Sequence, residues 1–129
     1  MVLADTSVWI DYFNGIISRE TDLLNDLLDE ERIAIGDLII AELMQGFKTK
    51  SQLNVANRII SRLEYFDLAG KEIAFRTADN YRYLRKKGIT IRKTIDIIIA
   101  TFCIENRFKL LYTDKDFDPF VKNLGLYSL

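Results

Sequence analysis

Three short apolar runs, each meeting an aspartate, constrain this chain more than any other feature. MVLA (1–4) runs into Asp5, RIAIG (32–36) into Asp37 and KLLYT (109–113) into Asp114, and helical spacing follows each. Strands this short, alternating with helices, imply a parallel sheet covered on both faces, because parallel strands need a crossover and crossovers are right-handed. The chain therefore reads as a three-layer α/β/α domain with a mostly parallel central sheet. Sites in such sheets form beyond the carboxyl ends of the strands.

The helices follow from period and punctuation. Thr6 or Ser7 caps a first helix carrying Val8, Trp9, Ile10, Tyr12 and Phe13, closed by Asn14-Gly15. Further helices are predicted over 18–31, over 38–47 with Asp37 as cap, over 51–63, over 71–87 ending at Gly88, over 94–108 and over 116–123. YFDL (65–68) and LYSL (126–129) read as two more strands. No repeat, linker or low-complexity tract divides residues 1–129, so a single domain is expected.

The 129 residues are 49% hydrophobic and 29% charged, as in a globular chain. No apolar run approaches the roughly 20 residues of a membrane span. MVLADTSVW lacks a basic n-region and meets an acid at position 5, so no signal peptide and no membrane partner are expected, and the location reads as cytoplasmic. The single cysteine, Cys103, lies among apolar residues and reads as core. There is no histidine, which removes the commonest general base and most zinc sites. Chemistry here falls to carboxylates, amines, hydroxyls or a hard metal ion.

The net charge of −1 hides a polarised chain. Six acids and no base lie between Glu20 and Glu31, whereas Arg82, Arg85, Lys86, Lys87, Arg92 and Lys93 form a run without an acid. The acidic run reads as solvated helix surface, and the basic run reads equally as surface or as phosphate-binding. That basic run leads straight to Asp96.

Asp96 heads the apolar stretch IDIIIA and Glu42 interrupts LIIAELM. With Asp5 and Asp114 they make four acids in mostly apolar surroundings, and Asp116 follows two residues after the last. Each alone reads most simply as a cap, a turn residue or an exposed helix position. If the first and fourth strands are neighbours, however, Asp5 and Asp114 share an edge, and Asp96 and Glu42 point along the same rim. Converging carboxylates repel in low dielectric and need a cation. An all-oxygen set suits Mg²⁺ or Mn²⁺. DKDFD (114–118) resembles the opening of an EF-hand loop, but Pro119 and Gly125 occupy its glycine and glutamate positions. No dinucleotide fingerprint or P-loop is present. Carboxylate-held Mg²⁺ beside a basic stretch is the equipment of phosphodiester hydrolysis.

VLADTSVWIDYF, IAELMQG and TIDIIIATFCIENRFKLLYTDKDF resemble, in order and spacing, the signature segments of PIN-domain ribonucleases, and most of all VapC-type toxins of toxin–antitoxin pairs. The resemblance covers essentially the whole chain. It implies about five parallel strands, Mg²⁺- or Mn²⁺-dependent endoribonuclease activity on RNA, a homodimer, and inhibition by a small cognate antitoxin. It carries the catalytic acids onto Asp5, Glu42, Asp96 and Asp114, with Asp5, Asp96 and Asp114 as main metal ligands and Glu42 and Asp116 as further members. Glu42 would bind a second ion or orient the attacking water. A supporting hydroxyl falls on Thr6, preferred, or Thr113. Arg85, Arg92 and Lys93 are assigned to RNA phosphates, and Trp9, Tyr12 and Phe13 to an antitoxin groove, with core packing as the plainer reading of those three. Where relatives usually carry a glycine, this chain has Asn106-Arg107.

Two other readings stay open at this point. A phosphoacceptor signalling domain also gathers acids around Mg²⁺, but it places its acceptor aspartate at the end of a middle strand and an essential lysine on a late strand. Here Glu42 and Asp96 lie inside helical segments, and Lys109 starts a strand, out of reach of the site. A non-catalytic RNA-binding module would use the basic run alone.

Overall fold

A computed structural model describes residues 1–129. In chain order the elements are β1 (Val2–Ala4), α1 (Thr6–Phe13), α2 (Arg19–Asp29), β2 (Ile33–Gly36), α3 (Asp37–Gln45) and α4 (Lys50–Ile60). They continue with β3 (Glu64–Phe66), α5 (Lys71–Lys86), α6 (Thr94–Asn106), β4 (Lys109–Leu111), a 3-10 turn (Lys115–Phe117) and α7 (Asp118–Leu124). No helix is long and apolar enough to cross a membrane.

The four strands form one parallel sheet in the order β3-β2-β1-β4, flanked by the helices. The chain steps outward from β1 to β3 and then returns through α5 and α6 to lay β4 on the other side of β1. The order therefore reverses between β1 and β4, the position where parallel sheets open a crevice at their carboxyl ends. Val2, Leu3 and Ala4 pair with Lys109, Leu110 and Leu111, and the Asp5 amide extends the ladder by donating to Leu111 O at 2.9 Å. The closing strand expected at 126–129 shrinks to one bridge between Leu110 and Ser128. Its Tyr127 and Ser128 stay exposed, so a short apolar-polar tail has little surface to bury there.

The sheet interior is almost purely apolar: Val2, Leu3, Ala4, Ile33, Ala34, Ile35, Leu110 and Leu111 are all buried. The edge strand β3 is more polar and partly exposed, and it starts at Glu64, one residue earlier than its apolar run suggests. α6 is apolar nearly all round, which marks a helix buried on most of its surface. Ile97, Ile99, Phe102 and Cys103 are buried on it, each large side chain contributing on the order of 1.5–3 kcal/mol.

Local details differ from sequence expectation in instructive ways. Asp5 itself caps α1, accepting from the Ser7 amide, so Thr6 and Ser7 lie inside the first turn. Gly36 occupies the cap position of α3, and Asp37 Oδ1 accepts from the amides of both Leu38 and Leu68 at 2.9 Å. Gly36 is required by crowding: a Cβ there would sit 2.2 Å from Leu68 Cγ, on a fully buried leucine. At the end of α6, Arg107 adopts the left-handed conformation (φ 57°) that glycine takes without strain. At this turn a strained arginine thus takes a position that glycine occupies at no steric cost.

Candidate active site

Five carboxylates meet beyond the carboxyl ends of β1 and β4. Asp5 is 5% exposed, and both the amide and the hydroxyl of Ser7 donate to its Oδ2, the hydroxyl at 2.8 Å. Thr113, two residues beyond β4, donates to Ser7 Oγ at 3.1 Å and so ties the segments that leave the two strands together. Burial pushes the Asp5 carboxyl above the ordinary range, the Ser7 and Thr6 hydrogen bonds oppose this, and the charge of Glu42 adds to it. On α3, Glu42 Oε1 accepts from Thr6 Oγ1 at 2.8 Å.

Asp96 enters from the first turn of α6, where the helix dipole favours negative charge. It is 6% exposed, and its Oδ2 is buried with no hydrogen-bond partner. Burial, then the charge of Asp5, raises its pKa to about 6; Lys93 pulls it down, and Asp114 and Glu42 push it further up. Asp114 caps the 3-10 turn through an Oδ1 that accepts from the Asp116 amide at 2.9 Å. That turn folds Asp116 back, so that Asp96, Asp114 and Asp116 each bring one oxygen within 4.8 Å of the other two.

The structure thus places Asp116 in the tightest triad, while Asp5 and Glu42 sit beside it as charged neighbours, each held by a hydroxyl from the start of α1. Both hydroxyl candidates are present: Thr6 acts on Glu42 and Thr113 acts on Ser7. Ser7 was read only as a cap, and its contact with Asp5 leaves no mark in the sequence beyond its place in DTS. Lys93 Nζ lies 3.4 Å from Asp114 Oδ2, and Arg92 pairs with Asp116 at 3.3 Å. Both flank a cleft of about 90 Å³ together with Asp96, Asp116 and Lys115. Lys115 escaped the sequence reading because it stands outside the basic run. Arg85 does not join this group; it lies against the ring of Tyr81, one turn back on α5.

The aromatic trio of α1 separates. Trp9 is fully buried and stacks on Phe13, so a groove contact through Trp9 would require opening the core, and the assignment to a partner surface is corrected for it. Phe13 is half-buried against Trp9 and Phe47. Tyr12 lines a separate cleft of about 650 Å³ with Asn25, Leu28, Ile59 and Leu63, and none of the five acids borders it. Cys103 is buried, and burial holds its thiol far above the range of a reactive group. Lys109 is exposed at the start of β4, at the strand end opposite the acids, so no late-strand lysine reaches them, and Lys93, which does, comes from the link before α6.

Two lysine and arginine charges do not balance five carboxylates, and Asp96 Oδ2 has no donor at all. An oxygen-only donor set with an orphan buried carboxylate oxygen fits a hard divalent cation such as Mg²⁺ or Mn²⁺.

The chain as a whole has relatives among known proteins. The family model described as PIN domain matches residues 2–122. The chain is 32% identical to the VapC ribonuclease Mb1587 of Mycobacterium bovis, over 99% of this chain and 97% of the relative. Ribonuclease VapC11 of Mycobacterium tuberculosis is similar to the same degree and extent. Among solved structures, VapBC2 of Rickettsia felis bound to a promoter DNA fragment superposes with a TM-score of 0.77 at 22% identity, over 100% of this chain and 98% of that one. DNA-bound VapBC of Salmonella typhimurium does so with a TM-score of 0.76 at 21% identity, over the same shares of both chains.

Proposed function

Since this chain belongs to the PIN-domain family and to its VapC ribonucleases, we propose that it is a metal-dependent endoribonuclease, the toxin of a toxin–antitoxin pair. The observation that carries the reading is the unpartnered, buried Oδ2 of Asp96 inside a ring of four further carboxylates. Asp96, Asp114 and Asp116, with Asp5 adjoining, would hold Mg²⁺ or Mn²⁺. When bound, such an ion supplies positive charge against the negative charge that develops on the scissile phosphodiester, and it favours ionisation of an attacking water.

The chain's own groups do the rest. Ser7 holds Oδ2 of Asp5 through two hydrogen bonds, which fixes the carboxylate's direction before substrate arrives. Thr6 occupies Oε1 of Glu42, so Oε2 is the oxygen left to orient water or accept its proton. Arg92, Lys93 and Lys115 present positive charge along the small cleft, where the RNA backbone would lie. Arg85 would contact only a longer stretch of RNA running along α5.

A partner antitoxin is supported by solved structures of similar fold, which include VapBC assemblies and a toxin–antitoxin complex from Klebsiella pneumoniae. The cleft that Tyr12 borders is the surface we assign to it, and half-buried Phe13, the next residue on α1, belongs to the same assignment. A homodimer and a cytoplasmic site of action belong to the same reading. The test is RNA cleavage by the purified chain with Mg²⁺ or Mn²⁺, then with chelator, then by Asp5→Asn and Asp96→Asn. Cleavage should require the ion and fall in both variants. Equal cleavage in every sample would point to a contaminating nuclease and sink the proposal.

A further inference from the structure

Lys93 and Arg92 close the link between α5 and α6, and both turn toward the acid cluster. Lys93 Nζ lies 3.4 Å from Asp114 Oδ2 and Arg92 Nη2 lies 3.3 Å from Asp116 Oδ1. Their side chains are 57% and 79% exposed, so little packing holds them there. The acids are the more buried partners, at 32% and 34%. Asp96 exerts the largest charge effect on Lys93, ahead of Asp114. The two cations therefore neutralise oxygens of the same triad that a divalent ion would bind.

An oxygen paired with an ammonium or guanidinium group attracts a second cation less, and the two cations repel one another. We propose that Lys93, aided by Arg92, is an internal counter-ion that competes with the divalent ion for Asp114 and Asp116. Loading the site then requires both side chains to swing outward. This rests on the metal-dependent reading above. The swing carries them toward the mouth of the cleft that Lys115 also borders, where phosphate would meet three positive charges. By linkage, a phosphate that holds the side chains outward also tightens metal binding.

Calorimetric titration of Mn²⁺ into the full chain tests this without any measurement of activity. Four proteins are compared: the unaltered chain, Lys93→Gln, Lys93→Arg, and Lys50→Gln on α4 as a remote control of equal charge change. Lys93→Gln should bind Mn²⁺ about fivefold more tightly, the scale expected for loss of one partly solvated charge near the ion. Lys93→Arg and Lys50→Gln should bind like the unaltered chain. Unchanged or weaker binding by Lys93→Gln overturns the counter-ion role while leaving the metal reading intact. Absence of binding in all four proteins removes the metal reading itself, and the counter-ion role with it.

Discussion

Thr6 Oγ1 donates to Glu42 Oε1 at 2.8 Å, joining the first residue of α1 to the middle of α3 across 36 positions of sequence. The bond sets which oxygen of Glu42 faces the crevice. Thr6→Val preserves shape and removes the donor. Its kcat for RNA cleavage should fall roughly tenfold to a hundredfold, with KM little changed, because a misdirected base affects the chemical step more than binding. Thr6→Ser should recover most of the rate. Steady-state kinetics on one RNA checks the split; a loss confined to KM would assign Thr6 to substrate binding instead.

Asp96 should make the metal-free chain less stable as the pH rises. Its folded-state pKa lies near 6 against an ordinary 3.8, because burial and the neighbouring acids disfavour its charge. Below about pH 4 the carboxyl is neutral in folded and unfolded chains alike, and it costs nothing. As the pH climbs through about 6 the unfolded chain is already ionised while the folded one must bury a charge, so stability of order 2–3 kcal/mol is lost. Asp5, also raised, adds in the same direction. Urea unfolding in chelator across this range should show the fall in the unaltered chain and a flatter profile in Asp96→Asn. Mg²⁺ should restore stability near neutral pH.

Gly36→Ala should destabilise the chain by about 1–3 kcal/mol, the usual cost of overpacking. The added Cβ would meet Leu68 Cγ at 2.2 Å, and Leu68 is buried and tied through its amide to Asp37. Thermal denaturation measures the loss. Because the strain falls at the root of α3, Glu42 should be displaced as well, with activity falling further than stability alone explains.

Arg107→Gly should stabilise the chain by up to about 1 kcal/mol. Arg107 sits at φ 57°, where an L-residue is disfavoured by roughly 1–2 kcal/mol, and the extra freedom glycine gains on unfolding offsets part of the relief. The measurement is a urea midpoint with an unchanged slope. A lower midpoint would mean that the arginine side chain contributes more than its backbone costs.

Most of the fold was legible because its signals are local. Short apolar runs marked β1, β2 and β4, and helical spacing marked the crossovers, so the meeting of Asp5 and Asp114 at adjacent strand ends could be read in advance. Asp96 was legible because a charge amid isoleucines demands a reason. What escaped depends on side-chain direction across long separations. Thr113 and Ser7 meet 106 residues apart, and Lys93 reaches Asp114 over 21. Asp116 looked peripheral because spacing alone does not show a 3-10 turn folding back on Asp114. For Trp9 core packing was the plainer reading but did not exclude a groove, since an eight-residue helix with apolar residues on most faces does not declare which one is covered.

The most direct measurement is anomalous scattering from crystals of the chain grown or soaked with Mn²⁺. A peak bounded by Asp96, Asp114 and Asp116, with Asp5 adjoining, is expected, and it should vanish in crystals of Asp96→Asn. Full occupancy of Mn²⁺ elsewhere, or no peak beside these acids at saturating ion, would contradict the assignment of the site as the metal centre of a nuclease.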